Sequence, residues 1–193
     1  MKWQPYRIYV MKNQKQPISL EEFVFILVDL KFKNDHLIKE FNNLSKEIEG
    51  KDDKLSNSHF LEYLIFDLFT DNACFLLAFS QEVSLTLSKI YFPNILVRLI
   101  KKGYEINGKE FEDLFKKRAM EYHQYLQEYD PEYVKKTDVN KYLPGLGKAF
   151  SINFVGYKSP SIILKAHVMF TLKLKYFYGK ILKNIIEKYE ILL

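Results

Sequence analysis

The chain has 193 residues, of which 48% are hydrophobic, 16% aromatic and 27% charged. This length and apolar content predict one folded domain, 1–193, that needs no metal or disulfide to fold, and they exclude a disordered chain. The single cysteine excludes an intramolecular disulfide and a cysteine-based zinc cage.

The net charge of +5 is distributed unevenly along the chain. Residues 1–18 carry +4 and residues 158–193 carry +5, whereas residues 19–100 carry −5. Two interpretations stay open. The basic ends form a face for an anionic partner such as nucleic acid, or they pack against the acidic middle and neutralise it.

Two further features bear on the surroundings of the protein. The first residues lack the apolar run of a secretory signal, and no stretch of about 18 apolar residues is free of charge. Cys74 lies among apolar residues and is predicted to be a small core residue. We therefore expect a cytoplasmic protein without a membrane span.

Helical periodicity dominates the first half of the chain. Ser19 and Glu22 fit a capping box in front of an apolar face, which predicts the start of a helix. Helices are predicted over three stretches: 19–30, 35–48 and 58–69. The third is apolar on most sides, which indicates a central helix, and it either breaks at Asp71 or runs on to Phe79.

The second half of the chain continues this helical pattern. Helices are predicted over four further stretches: 84–91, 95–100, 108–128 and 159–189. Pro93 interrupts the pattern between the first two, and Gly103 fits a left-handed terminator after the second. Asn107 fits an N-cap for the third.

Residues 137–158 are predicted to be irregular. The glycines at 145 and 147 indicate a turn, and apolar residues alternate with polar ones over 149–155, which is a strand pattern. Residues 6–11 also have β-propensity, so one small ribbon from 6–11 and 149–155 is compatible with the sequence. The predicted fold class is all-α, a single-domain bundle of roughly six to eight helices with at most this ribbon.

No metal or cofactor site is predicted. The histidines fall on four different predicted helices and lack the spacing of common metal motifs: His36, His59, His123 and His167. The stretch from Gly145 to Lys148 lacks the rest of a phosphate-binding loop and is interpreted as a turn. Asp67 and Asp71 lie one helical turn apart, and solvent-exposed or capping roles are expected for them.

One arginine interrupts the apolar stripe of the helix predicted over 108–128. With residues placed at intervals of about 100°, Arg118 falls inside the stripe, Tyr125 lies beside it and His123 lies at the stripe's edge. A buried arginine is costly unless it is paired. Arg118 therefore either pairs with an acidic residue from the middle of the chain, or lines an anion-binding cleft with His123 and Tyr125.

The spacing of Arg118, His123 and Tyr125 resembles the motif of HEPN-domain ribonucleases. That family is all-α and usually dimeric, cleaves RNA without a metal, and often belongs to toxin–antitoxin or anti-phage systems. The resemblance implies that His123 transfers a proton to or from the 2′-hydroxyl or the leaving oxygen. It also implies that Arg118 stabilises the charge of the transition state, and that Tyr125 supports the site or accepts a modification from an antitoxin.

The sequence leaves three functions open. The leading one is a non-enzymatic binding or regulatory protein that acts through protein–protein contacts, as a homodimer or with another protein. Its final helix is the expected docking element, because apolar residues and lysines lie on different faces. The alternatives are the HEPN-like ribonuclease and a nucleic-acid-binding module that uses the basic termini. The tyrosines over 122–133 fit a core, a partner interface or base stacking.

Overall fold

The computed structural model describes residues 15–46, 56–126 and 145–192, and these residues are 83% helical, which confirms the all-α prediction. The elements in chain order are β1 Gln16–Ser19, α1 Leu20–Phe32, a 3₁₀ turn Lys33–Asp35, α2 His36–Ser45, α3 Asn57–Ala78, α4 Gln81–Lys101, α5 Gly108–His123, α6 Gly145–Val155, α7 Pro160–Leu172, a π-helix Lys173–Leu182, α8 Lys183–Lys188 and β2 Tyr189–Leu192. The last three helices follow one another directly, as the prediction of one long final helix requires.

Helix α3 is the central helix of the fold. It is apolar on most sides and packs against α4, α5, α6 and the π-helix. It runs through Asp71 without a break, which answers the question that the sequence left open. Cys74 is buried in this helix as predicted, and burial raises the pKa of its thiol to about 12.

The helix starts predicted at Ser19 and Asn107 are confirmed, whereas those predicted at 84 and 95 are wrong because both residues lie inside α4. At α1, the amide of Glu22 donates to Ser19 Oγ at 3.1 Å, and the amide of Ser19 donates to Glu22 Oε2 at 2.8 Å. At α5, Asn107 Oδ1 accepts from the amides of Lys109 and Glu110 at 3.0 and 3.3 Å. Gly103 has a φ of +91° after α4, so the expected left-handed terminator is present.

Helix α4 continues through Pro93, where the sequence pattern was interrupted. The helix packs against α1 and α3, and its buried apolar residues recur every four positions: Leu87, Tyr91, Ile95 and Leu99. Within the described part of the chain, α4 alone is long and apolar enough to cross a membrane by length and composition. Core helices of soluble proteins pass the same test, so the absence of a membrane span stays a prediction.

The predicted strand over 149–155 is wrong, because these residues form α6. Phe150 and Phe154 are one helical turn apart and stack at 5.2 Å, so both lie on the buried face of a helix. A two-residue alternation and a four-residue helical repeat share these two positions, and packing against α3 and α7 favours the helix. The other half of the predicted ribbon, 6–11, lies outside the described residues.

The observed ribbon joins the two ends of the described chain. Strands β1 and β2 run parallel, with Gln16 opposite Tyr189 and Ser19 opposite Leu192. Ile18 of β1 is buried and belongs to the core, so the ribbon adds to the helical core rather than forming a separate layer.

The turn predicted at Gly145 and Gly147 is also wrong, since both residues belong to α6. Residues 137–144 of the predicted irregular region lie outside the described residues. Gly147 serves a close helix contact: a Cβ atom there would lie 2.7 Å from the carbonyl oxygen of Ile163 on α7. Glycine at this position therefore reflects the approach of two helices rather than a turn.

Candidate functional site

Two lysines and two aspartates from three helical segments meet in the interior. We call them the ionic quartet: Lys31 near the end of α1, Asp67 and Asp71 on α3, and Lys173 at the start of the π-helix. Lys31 Nζ contacts both aspartates. Lys173 Nζ lies 2.6 Å from Asp71 Oδ1, and it also contacts the carboxylate of Asp67 and, at 3.2 Å, its backbone oxygen.

The exposed roles expected for Asp67 and Asp71 are therefore wrong. Both side chains are only 1% exposed, against 10% for Lys31 and 17% for Lys173. Residues on one face of an internal helix cannot reach water, so each carboxylate needs a cation that other segments bring to it. Those cations come from α1 and from the π-helix, which are distant from the two aspartates in the sequence. No local sequence motif predicts this pairing.

The charges of Asp67 and Lys173 are fixed around neutral pH. Burial disfavours ionisation of Asp67, but Lys173 and Lys31 outweigh this effect and lower the pKa of its carboxyl. Burial likewise disfavours the charged form of Lys173, but the two aspartates raise its pKa. A protonated lysine is not a nucleophile and an ionised aspartate donates no proton. Asp67 and Lys173 therefore supply charges and hydrogen bonds rather than acid–base or Schiff-base chemistry.

Two buried tyrosines surround the quartet. Tyr91 donates its hydroxyl hydrogen to Asp71 Oδ2 at 3.2 Å, and Tyr63 donates to the carbonyl of Leu37 at 3.0 Å. Burial and nearby carboxylates hold the pKa of both tyrosines well above its ordinary value. Both hydroxyls thus remain donors, and Tyr91 adds a further hydrogen bond to the aspartates.

A pocket of about 430 Å³ lies over the quartet. Its walls are mainly apolar and come from α1, α2, α7 and the π-helix: Leu27, Leu30, Leu37, Met169, Leu172, Tyr176, Phe177 and Ile181. The exposed members of the lining mark the mouth: Lys33, His36, Leu172 and Tyr176. The quartet, which is the least exposed polar part of the lining, forms the floor.

Arg118 is paired with carboxylates, as one of its two interpretations predicts. Its Nη2 lies 2.6 Å from Glu62 Oε1, and its Nε donates to both oxygens of Glu62 at 3.1 and 3.0 Å. Its Nη1 donates to Glu121 Oε2 at 3.3 Å, and Asn153 Nδ2 donates to the same oxygen at 2.9 Å. Burial disfavours the charged guanidinium, but the hydrogen bonds to Glu62 prevail and raise the pKa of Arg118.

The other two residues of the predicted site lie apart from this cluster. His123 is exposed at the last position of α5, and Tyr125 is half-buried just beyond it. Among the described residues, no hydrogen bond joins Arg118 to His123 or to Tyr125. Tyr122, by contrast, is fully buried and belongs to the core. The catalytic roles that the resemblance implies for Arg118, His123 and Tyr125 stay predictions.

A row of exposed apolar side chains follows the final helices. We call it the apolar row: Leu164 and Val168 on α7, Leu172 at its end, and Tyr176 in the π-helix. These side chains are 59, 44, 45 and 44% exposed, and each is four residues from the next. Residues four apart on a helix form a continuous ridge, so the row is one surface. Leu172 and Tyr176 also belong to the mouth of the pocket.

Two of the four histidines, His36 and His59, have local partners. His36 Nδ1 lies 3.5 Å from Glu40 Oε2, and His59 Nδ1 accepts a hydrogen bond from the amide of Ser56 at 3.2 Å. Over 15–46, 56–126 and 145–192, no three histidine, cysteine or acidic residues are grouped so as to hold a metal ion.

The chain matches no protein-family model, no curated protein and no solved structure.

Proposed function

We propose that this protein is a helical binding protein that docks an acidic, amphipathic helix of another protein on its apolar row. The observation that carries the proposal is the exposure of Leu164, Val168, Leu172 and Tyr176 at a regular spacing of four residues. Contiguous exposed apolar surface marks interaction sites in soluble proteins. A partner helix with leucines spaced by three and four presents the complementary ridge.

The charge of the partner follows from the lysines at the end of the row. Lys175, Lys180 and Lys183 are exposed, and none of them forms an ion pair within the described part of the chain. Each ammonium group lies near a tyrosine ring, with Lys180 Nζ 4.9 Å from the centre of the Tyr176 ring. Three uncompensated cations beside an apolar ridge favour glutamates and aspartates on the partner.

The fixed charges of Asp67 and Lys173 support binding rather than chemistry. Both groups are charged at neutral pH, so neither is poised to exchange protons with a substrate. The only strongly buried guanidinium of the described chain, that of Arg118, is already occupied by Glu62 and Glu121.

The test is a binding titration with a labelled synthetic helix. The peptide has about 18 residues, or five helical turns, with leucines on one face and glutamates elsewhere. A scrambled peptide of the same composition lacks the apolar face. We expect saturable binding of the amphipathic peptide, weakened at least about tenfold by scrambling and weakened further by added salt.

Matched variants locate the site. Leu164→Ser/Val168→Ser removes two members of the apolar row and should weaken binding at least about tenfold. Leu85→Ser/Val97→Ser removes two apolar residues of α4 that are 51 and 48% exposed, and it should leave binding unchanged. Equal losses in the two variants would contradict docking on the row.

Two other outcomes would replace the proposal. If the native protein sediments as a dimer that Leu164→Ser/Val168→Ser dissociates, a second copy of the chain covers the row. If the protein cleaves single-stranded RNA in EDTA and an Arg118→Ala/His123→Ala variant does not, the ribonuclease prediction applies. RNA binding with strong salt dependence and no cleavage would favour the nucleic-acid-binding module.

A further inference from the structure

We infer that the pocket over the ionic quartet binds an uncharged, mainly apolar small molecule that carries one carbonyl or hydroxyl oxygen. The mouth of this site shares Leu172 and Tyr176 with the apolar row, but the inference does not depend on the docking of a helix there. Its argument rests on the size of the pocket, on the balance of its charges and on one free donor at its floor.

The size and the walls of the pocket suit a small organic ligand. A volume of about 430 Å³ lies within the usual range for ligand pockets, about 300–1,000 Å³. The walls consist of leucines, Met169, Ile181 and two aromatic rings, so most of the ligand surface would contact apolar groups. An apolar body is therefore favoured.

The charges of the lining exclude a net charge on the ligand. The lining contains three lysines and three carboxylates: Lys31, Lys33, Lys173, Glu40, Asp67 and Asp71. At the floor, the two buried lysines are matched by the two aspartates. A charged ligand group would lose its hydration without gaining an unpaired counterion, which is costly at low dielectric.

The polar group of the ligand follows from the donors at the floor. An ammonium group has three N–H donors. Lys173 contacts Asp67 Oδ1, Asp71 Oδ1 and the backbone oxygen of Asp67, which accounts for three. Among the described residues, the ammonium group of Lys31 contacts only the two carboxylates. Lys31 lines the pocket and stays 10% exposed, so its third N–H can donate to a ligand oxygen.

The test uses the neutral fluorescent ketone Prodan and its matched anion, 6-(dimethylamino)-2-naphthoate, on the full chain. Both have the same ring system, but only the ketone is uncharged. We expect Prodan to bind saturably at one site with a blue-shifted emission. We expect the naphthoate to bind at least about tenfold more weakly. Absence of saturable Prodan binding, or equal affinities of the two probes, would overturn the inference.

Variants show whether the probe occupies this pocket. Leu30→Trp fills the pocket from α1 and Met169→Trp fills it from α7; both side chains are half-buried, and thermal unfolding checks that each variant folds. Each folded variant should bind Prodan at least about tenfold more weakly. Val168→Ser alters the apolar row outside the pocket and should leave Prodan binding unchanged. A loss confined to Val168→Ser would place the probe on the row and overturn the inference.

Discussion

A charged residue inside an apolar stripe of a helix needs a partner from elsewhere, and Arg118 meets this need with two carboxylates. Glu62 from α3 makes a bidentate contact, and Glu121 comes from the next turn of α5. Both partners compete with any external anion for the guanidinium. At this residue the structure favours the interpretation in which Arg118 pairs with acidic residues of the protein. The roles of His123 and Tyr125 stay predictions.

The structural role of Arg118 predicts a large loss of stability when it is removed. Arg118→Met leaves Glu62, which is 10% exposed, without its cation, and an unpaired buried charge costs about 3–5 kcal/mol. Urea denaturation monitored by circular dichroism measures the free energy of unfolding.

The matched control lies two residues away on the same helix. Lys116 pairs with Glu112 at 2.6 Å, but the two side chains are 62 and 64% exposed. Lys116→Met should therefore leave stability unchanged. If Arg118→Met is as stable as the native protein, the pairing of Glu62 with Arg118 does not stabilise the fold. That result would favour the anion-binding interpretation of Arg118.

The same rule would have predicted the ionic quartet in part. Asp67 and Asp71 lie in a helix that is apolar on most sides, which is the signal that identified Arg118 as unusual. The sequence therefore indicates that the two carboxylates need cations. It does not say which of the 29 basic residues supply them, because Lys31 and Lys173 meet α3 only through tertiary packing.

At the scale of elements, the N-caps of helices α1 and α5 could be predicted from the sequence. Whether a short apolar segment forms a helix or a strand could not. Ser19 and Asn107 cap α1 and α5 through local hydrogen bonds, which depend on neighbouring residues only. Residues 149–155 fit a strand as well as a helix, and contacts with α3 and α7 decide between the two. The π-helix was likewise not predicted, because an analysis that assumes a single helical period does not distinguish a π-helix from an α-helix.

Gly147 supplies a test of the contact between α6 and α7. In Gly147→Ala, the new methyl group would lie 2.7 Å from a backbone oxygen of α7, so the two helices must separate. Alanine adds helix propensity of about 0.5–1 kcal/mol, but overpacking against backbone costs about 1–3 kcal/mol. We expect a net loss of stability in urea denaturation.

Gly108 is the control for this substitution. It also lies in a helix, and a Cβ atom there would meet nothing within 4 Å. Gly108→Ala should be neutral or slightly stabilising. A Gly147→Ala protein that is more stable than the native one would show that α7 can move away from α6 without a loss of stability.

At the scale of the whole molecule, the lysines of the basic C-terminal part differ in what they contact. Lys173 from the basic C-terminal part neutralises Asp67 and Asp71 from the acidic middle. Lys175 and Lys180, a few residues further on, remain exposed and unpaired within the described residues. The net charge of each part can be counted from the sequence, but only the fold separates the buried lysines from the exposed ones.

The quartet joins α1, α3 and the π-helix, so the titration of Asp67 and Lys173 should contribute to the pH dependence of stability. The pKa of Asp67 is lower in the folded protein than its ordinary value of 3.8. Its contribution is therefore complete above about pH 5 and is lost as the pH falls through the folded pKa. The pKa of Lys173 is raised above its ordinary 10.5, so its contribution is complete below that pH and is lost only at higher pH.

The comparison that isolates this contribution uses Asp67→Leu/Lys173→Met, which removes one buried pair and leaves Lys31 with Asp71. Because both members of a pair are replaced together, the variant should unfold within about 2 kcal/mol of the native protein at pH 7, whereas Asp67→Asn alone should lose about 3–5 kcal/mol. The difference in free energy of unfolding between native protein and double variant, measured in urea from pH 2 to 9, should be constant above about pH 5 and should shift against the native protein below about pH 4. A difference that does not change on acidification would mean that the native protein and the variant lose the same proton-linked stability, and that Asp67 is not held ionised by the two lysines.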